Sequence, residues 1–149
     1  MREALPQTVI NTFPFLAVSG GYHTSLYDMD YNCIAHTSGD DSKWWWPIVI
    51  RGDEFWPIAE REHTLECFEK MFSHYGYEVC NDENMEENFE KIAIFVGQNG
   101  LPTHAARQIE NGAWTSKLGR GIDIEHSDLT GVQGLTYGTV AVIMKRPRP

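Results

Sequence analysis

Two short apolar runs constrain the fold of this chain more strongly than any other feature of its sequence. One covers residues 92–96 and is bounded by Gly97 and Asn99-Gly100, and the other covers residues 139–144. Each run has the length of a strand and does not alternate with polar residues, which is typical of strands buried inside a sheet. The sequence therefore predicts a sheet in the second half of the chain.

A hairpin is predicted directly after the first run. Asn111-Gly112 is a strong signal for a two-residue turn, and residues 104–110 and 113–118 flank it. In that register residue 104 pairs with 119, which places Lys117 diagonal to His104 on one face and directs Ser116 to the other. A bulge of one residue would exchange Ser116 and Lys117, so counting alone leaves open which of them lies beside His104.

Two helices are predicted before the sheet. Apolar residues recur at spacings of three and four over residues 64–75, and Gly76 follows as a helix stop. Asn32 is a suitable N-cap for a shorter helix that ends near Gly39. Cys33 then lies in the first turn of this short helix.

The remaining segments are expected to be mostly irregular. Residues 1–30 contain prolines and glycines without a clear period and are expected to form loops. A short helical turn is expected near residues 127–129, and residues 145–149 are expected to form a solvated basic tail. Helices followed by about four mostly antiparallel strands indicate an α+β fold.

Composition limits the domain organisation and the partners. A chain of 149 residues suits a single domain over residues 1–149. Twelve basic against 21 acidic residues give a net charge of −9, which repels phosphate backbones and argues against nucleic acid as a partner. No secretory signal or membrane span is recognised. Three cysteines are too few for a disulfide framework, so we expect a cytoplasmic protein, although signal-independent export leaves no trace in composition.

Cys33 and His104 are the candidate catalytic pair. A thiol at the start of a helix is more easily ionised because unpaired N–H groups stabilise the thiolate. An imidazole is then needed to take the thiol proton and later to protonate the leaving group. His104 follows Pro102 at the start of the predicted hairpin, which suits that role. A structural role for both residues, as a buried thiol and a hydrogen-bonded histidine, is the alternative.

A third catalytic group is expected to orient His104. Lys117, Ser116 and Asp123 are the candidates, and Glu125 and His126 follow closely enough to compete. Aromatic side chains beside the thiol are expected to line a substrate groove, or else to anchor the core. The candidate substrate-binding residues are Trp44, Trp45, Trp46, Trp114 and Asn32.

Several phrases of the sequence carry a resemblance to known families. The order of the candidate residues resembles that of the papain-like and NlpC-type cysteine peptidases and amidases. In that order, a cysteine begins a helix, a histidine begins a strand, and a polar group follows shortly afterwards. A second resemblance, to an uncharacterised bacterial domain family, covers about residues 30 to 146. Its phrases are Asn32-Cys33-Ile34-Ala35, Trp44-Trp45-Trp46-Pro47, Thr103-His104-Ala105-Ala106-Arg107-Gln108 and Trp114-Thr115-Ser116-Lys117-Leu118-Gly119.

The first resemblance implies a papain-like fold and a thiol hydrolase. Cys33 is then the nucleophile and His104 the general base and acid, with backbone N–H groups near Cys33 stabilising the oxyanion. The expected substrate is a peptide or another amide. The sequence departs from the peptidase pattern because the orienting residue after His104 has no unambiguous position.

Two metal sites are considered and rejected. His63, Cys67 and His74 form one stripe of a helix, but Cys67 and His74 are roughly 10 Å apart, too far to share a zinc ion. The acidic phrase at residues 28–32 begins like a calcium loop but lacks the required glycine and glutamate. No metal or organic cofactor is therefore expected.

The alternative to a cysteine hydrolase is a protein that binds a partner and is not an enzyme. An acidic protein with clustered tryptophans also suits a non-enzymatic inhibitor or immunity-type protein that covers a basic protein partner.

Overall fold

The computed structural model describes residues 1–119 and 121–149, and its centre is one antiparallel sheet of eight strands. The strands are β1 (Glu3–Ala4), β2 (Gly21–His23), β3 (Glu78–Cys80), β4 (Phe89–Val96), β5 (Pro102–Gln108), β6 (Trp114–Lys117), β7 (Asp123–His126) and β8 (Thr139–Pro147). Their order in the sheet is β1-β2-β7-β6-β5-β4-β8-β3. The two apolar runs lie within β4 and β8, which pair with each other inside the sheet. Both strands are present as predicted, but only β4 has the predicted burial, since Met144 is the one buried residue of β8.

In the described part of the chain, four short α-helices accompany the sheet: α1 (Gln7–Thr12), α2 (Leu16–Ser19), α3 (Cys33–Thr37) and α4 (Leu65–His74), with a 3₁₀ helix at Leu129–Val132. Both predicted helices are present. Asn32 caps α3 by accepting from the Ala35 N–H, and Thr64 caps α4 by accepting from the Cys67 N–H. Capping at these two residues explains why the helices begin where the sequence indicates.

Strand alternation divides the core between the two faces of the sheet. On the face covered by α3 and α4, Ile92, Ile94 and Ala105 pack with Cys33 and Phe68. On the opposite face the intervening residues form a second core: Ala93, Phe95, Ala106, Trp114 and Tyr137 belong to it. Because successive side chains of a strand point to opposite faces, His104 lies on the second face, where its ring contacts Phe95.

The predicted architecture, an α+β fold of the papain-like and NlpC type with N-terminal helices on a sheet of about four strands, is wrong. The molecule is mostly one antiparallel sheet of eight strands with a few short helices. The sequence missed β1, β2 and β3 because strands of two or three residues are too short to show a period. They lie in segments whose sequence otherwise indicates loops.

The predicted basic tail is also partly wrong. Lys145, Arg146 and Pro147 continue β8 at the sheet, where Lys145 pairs with Lys91 and Arg146 with Glu90. Arg146 also donates a hydrogen bond to the Glu90 carboxylate at 2.5 Å. Strand pairing with β4, together with side-chain contacts of Lys145 to Glu86 and of Arg146 to Glu90, therefore keeps this basic segment in regular structure.

The predicted hairpin is present, but its register differs by one residue. Arg107 pairs with Thr115 and Gln108 with Trp114, so the connecting loop is longer than the two-residue turn. A shift of one residue moves every side chain of a strand to the other face. Ser116 consequently lies beside His104, and Lys117 points away from it.

Candidate active site

Asn32 fixes the position of Cys33 through three hydrogen bonds. Its Oδ1 accepts from the N–H of Ala35 at 3.2 Å and from the N–H of Trp45 at 3.1 Å. Its Nδ2 donates to the Trp45 carbonyl at 2.9 Å. One side chain thus caps α3 and attaches the tryptophan segment to it. Cys33, the first residue of the helix, retains 7% exposure.

Burial keeps the Cys33 thiol protonated. Desolvation raises the pKa of Cys33 to about 11, although N–H groups of Ala105, Ile34 and Cys33 itself act to lower it. The Ala105 N–H belongs to the peptide that joins His104 to Ala105. The sulfur therefore lies against the backbone of β5 at the residue that follows the candidate base.

His104 is fully buried and has one ring nitrogen without a partner. Its Nε2 is 3.0 Å from Ser116 Oγ, whereas Nδ1 has no hydrogen-bond partner among the described residues. The ring lies parallel to that of Tyr137, with 3.9 Å between the centroids. Burial lowers the pKa of His104 well below its ordinary value, and His126 and His36 add to this effect.

A chain of hydrogen bonds defines the tautomer of His104. His126 Nδ1 is 2.8 Å from the Asp128 carbonyl, which can only accept, so this nitrogen carries the proton. Burial lowers the pKa of His126 to about 4, and its Nε2 therefore accepts from Ser116 Oγ at 2.7 Å. Ser116 Oγ in turn accepts from His104 Nε2. Nδ1 of His104 is left with a free lone pair.

A cavity of about 290 Å³ opens beside the thiol. Cys33, Trp44, Trp46 and Tyr137 line it, with Asn32 at the start of α3. Tyr137 thus connects the two candidates, since it shares this cavity with Cys33 and its ring stacks on His104. No hydrogen bond joins the thiol to the imidazole among the described residues.

Lys117 and Asp123 lie in a different polar cluster. The Lys117 ammonium donates to the carbonyls of Asp28 and Gly121 and lies 4.5 Å from the centre of the Tyr31 ring. Asp123 accepts from the Tyr31 hydroxyl at 2.6 Å and is 3.7 Å from Nδ1 of His36. Of the three candidates for the orienting group, only Ser116 contacts His104.

The four candidate tryptophans also lie in different places, two at the cavity and two in the core. Trp44 and Trp46 line the cavity beside Cys33. Trp45 is buried and its ring packs edge-on against Phe55, and Trp114 belongs to the core on the second face. The structure therefore brings together Cys33, Asn32, Trp44 and Trp46, with His104 and Ser116 on the other side of β5.

Tyr137 is a residue of the candidate site that the sequence alone does not indicate. The Thr103 hydroxyl donates to the Tyr137 carbonyl, and Gly138 has a φ of +77°. A Cβ at Gly138 would lie 1.9 Å from the Val96 carbonyl oxygen, so only glycine allows the chain to approach β4 so closely. A Tyr-Gly pair before a predicted strand is the signal that the sequence carries, and it does not identify a partner.

The described residues contain neither a metal-binding cluster nor a membrane-spanning helix. No group of three or more His, Cys, Asp or Glu side chains there is placed to hold a metal ion. No helix of this part of the chain has the length and apolar character needed to cross a membrane.

Comparison with known proteins identifies one family. A family model described as "Domain of unknown function (DUF7689)" matches residues 22–145. No curated protein and no solved structure gives a significant match. The resemblance to an unknown domain family is thereby confirmed in its broad form.

Proposed function

This chain belongs to the family Domain of unknown function (DUF7689), and we propose that it is a cysteine hydrolase that cleaves an amide or peptide bond. The observation that carries the proposal is the buried Nδ1 of His104, whose free lone pair has no partner while Ser116 holds the other ring nitrogen. A buried acceptor without a partner costs free energy, so its retention requires an explanation. A role as the base for Cys33 supplies one.

In the first step of the proposed reaction, Nδ1 of His104 takes the Cys33 proton as the sulfur attacks the carbonyl carbon of the substrate. A sulfur–carbon bond forms, and the carbonyl oxygen gains a negative charge. The carbon–nitrogen bond then breaks, and the amine leaves with the proton that His104 returns to it. The acyl group remains on Cys33 as a thioester.

In the second step, water hydrolyses the thioester. His104 takes a proton from the attacking water and returns it to the Cys33 sulfur as the acid product leaves. Tyr137 lines the cavity with Cys33, and its hydroxyl is a side-chain donor that the cavity offers for the oxyanion. Burial raises the pKa of Tyr137, so the hydroxyl keeps its proton.

Both groups are neutral in the resting site. Burial disfavours the thiolate and the imidazolium alike, so proton transfer has to accompany attack on a bound substrate. His104 is fully buried on the face of the sheet opposite α3 and does not line the cavity of Cys33, so the proposed reaction requires that substrate binding bring its ring to the thiol. Free Cys33 is accordingly expected to react slowly with reagents that do not occupy the cavity.

Acyl transfer from p-nitrophenyl acetate tests this proposal. We expect a burst of nitrophenol and an acetyl group on the Cys33 peptide in mass spectrometry. Cys33→Ala should abolish both signals, and His104→Ala should slow the burst by about a hundredfold or more, the usual range for loss of a general base. Cys80→Ala, which alters a free thiol outside the cavity, is the matched control. Acetylation that persists in Cys33→Ala, or that is absent from the wild type, contradicts the proposal.

A binding measurement with Cys33→Ala separates the alternative, an acidic protein that binds a basic partner through its tryptophans. Trp45, Trp56 and Trp114 are buried, so they can anchor a partner only if the fold opens. A salt-sensitive complex that is unchanged in Cys33→Ala is the result that the alternative requires.

We also propose a reducing, cytoplasmic environment. The described chain holds three free cysteines and no disulfide. A reduced Cys33 is needed for the reaction, which such a compartment maintains.

A further inference from the structure

The cavity that contains Cys33 also holds an arginine that takes no part in the proposed proton transfers. Arg51 is the one basic residue among the described residues that line this cavity. Its guanidinium carbon lies 4.9 Å from the centre of the Trp44 ring, and Trp44 lines the cavity as well. Arg51 therefore places a positive charge against an aromatic wall of the site that holds the thiol.

Arg51 keeps most of its capacity to donate hydrogen bonds. A guanidinium has five N–H donors in a planar fork. Within the described part of the chain, the guanidinium forms a single ion pair, in which Nε lies 3.7 Å from the Asp53 carboxylate. The Asp53 side chain is 68% exposed, so water screens this pair and its contribution is small. The guanidinium is consequently available to a ligand in the cavity.

Glu54 lines the same cavity, but its carboxylate is already occupied. It accepts five hydrogen bonds, of 2.6 to 3.1 Å, from the backbone N–H groups of residues 50–53. A carboxylate has about four lone-pair sites, so these donors leave none for a cationic ligand. The backbone N–H of Arg51 and those of its neighbours lower the pKa of Glu54 to about 2. Glu54 thus holds the loop that presents Arg51 to the cavity.

The other walls of this cavity are mainly apolar. Trp44, Trp46, Ile50 and Tyr137 belong to them. Such walls bind an apolar body by removing it from water, and a few charged groups then fix its orientation. A planar guanidinium matches a carboxylate with two parallel hydrogen bonds. A doubly charged phosphate suits the site less well, because the whole chain carries a net charge of −9.

We propose that Arg51 binds a carboxylate of the substrate, so that the substrate is an anionic amide whose apolar body lies against Trp44 and Trp46. This inference rests on the proposed function for the bond that is cleaved. Binding itself needs neither His104 nor a reactive thiol. Because burial keeps Cys33 protonated, no thiolate repels an anion in the same cavity.

Two unreactive ligands of similar shape test the inference. Phenylacetate carries a carboxylate, and phenethyl alcohol is its neutral counterpart. Titration of each ligand into isotope-labelled protein near neutral pH, followed by the NMR signals of the Trp44 and Trp46 indole N–H groups, gives the two dissociation constants. We expect phenylacetate to bind about tenfold more tightly, since hydrogen bonds to a charged group contribute on this order. The preference should decrease at high salt because the Arg51 side chain is 42% exposed.

Two variants and a control locate the effect. Arg51→Gln removes the guanidinium and keeps the backbone N–H that donates to Glu54, so the loop should stay folded while the two ligands bind nearly equally. Arg51→Lys keeps the charge without the planar fork and should retain part of the preference. Lys43→Gln removes a positive charge that lies outside the cavity, and it should keep the wild-type preference.

The outcomes distinguish this inference from the proposed function. Equal affinities for the two ligands, or no change of either indole signal with either ligand, overturn the inference. A preference for phenylacetate that survives Arg51→Gln also overturns it. Any of these results in a protein that forms the acetyl-enzyme leaves the proposed function standing. A preference that depends on Arg51 in a protein that forms no acetyl-enzyme overturns the proposed function and leaves Arg51 as an anion-binding residue.

Discussion

At the scale of single residues, Ser116 decides how His104 can act. It accepts a hydrogen bond from His104 and donates one to His126, which uses both capacities of one hydroxyl. The direction of these two bonds leaves the lone pair of His104 on Nδ1. A residue without a hydroxyl at position 116 would leave the rings of both His104 and His126 without this hydrogen-bond partner.

Ser116→Ala is therefore expected to affect both stability and acylation. Two buried ring nitrogens lose their partner, which should lower the free energy of unfolding by about 1–3 kcal/mol. The burst with p-nitrophenyl acetate should slow by about tenfold or more because His104 is no longer held in one tautomer. Urea unfolding and stopped-flow absorbance measure the two effects.

The control is Ser73→Ala, which removes a hydroxyl from an exposed position of α4. Ser73→Ala should change neither the free energy of unfolding nor the rate of the burst. A burst in Ser116→Ala that keeps the wild-type rate and pH profile would show that the hydroxyl is structural only.

At the scale of elements, α3 depends on its cap more than a longer helix does. A helix of five residues has little hydrogen bonding of its own, so packing and capping must supply its stability. Asn32 caps it and also attaches Trp45 to it. The start of α3 and one wall of the cavity are therefore held by the same side chain.

Asn32→Ala should lower the free energy of unfolding by about 1–2 kcal/mol, the usual cost of losing an N-cap. Asn32→Asp keeps the capping oxygen and loses only the Nδ2 donor, so its loss of stability should be smaller. Urea unfolding followed by tryptophan fluorescence measures both variants, and Asn11→Ala at the exposed end of α1 is the control. Equal losses for the two Asn32 variants would contradict the capping role.

The positions of helices could be predicted from the sequence, whereas the register of one strand pair could not. α3 and α4 could be predicted because their caps and stops are local signals. The register of β5 and β6 could not, because Asn111-Gly112 is compatible both with a two-residue turn and with the longer loop that joins Gln108 to Trp114. That one-residue difference decided whether Ser116 or Lys117 lies beside His104.

At the scale of the whole molecule, buried histidines make the fold sensitive to acid. Burial lowers the pKa of His126 to about 4 and also lowers the pKa of His104. Below the ordinary histidine pKa near 6.5, the unfolded chain binds protons that the native protein excludes. Stability that is fully present above that pH is therefore lost as the pH falls towards the native pKa.

We accordingly expect the urea concentration at the midpoint of unfolding to fall as the pH is lowered from about 7.5 to about 5. Over the acid part of this range, His126 alone should lower the free energy of unfolding by about 1.4 kcal/mol per pH unit. His126→Gln should reduce this slope. His74→Gln, at an exposed position of α4, is the matched control and should keep the wild-type slope. Equal slopes for the wild type and His126→Gln would contradict the prediction.

The sequence by itself determined the elements whose signals are local: the caps of α3 and α4, the apolar strands β4 and β8, and the place of Cys33 in the first turn of its helix. Only the tertiary structure decided the number of strands, the register that brings Ser116 to His104, and the approach of Tyr137 to both candidates. The physical reason is that capping and hydrophobic periodicity act over a few neighbouring residues. The partners of a buried ring depend on strands that are distant in the chain, and no local pattern records them.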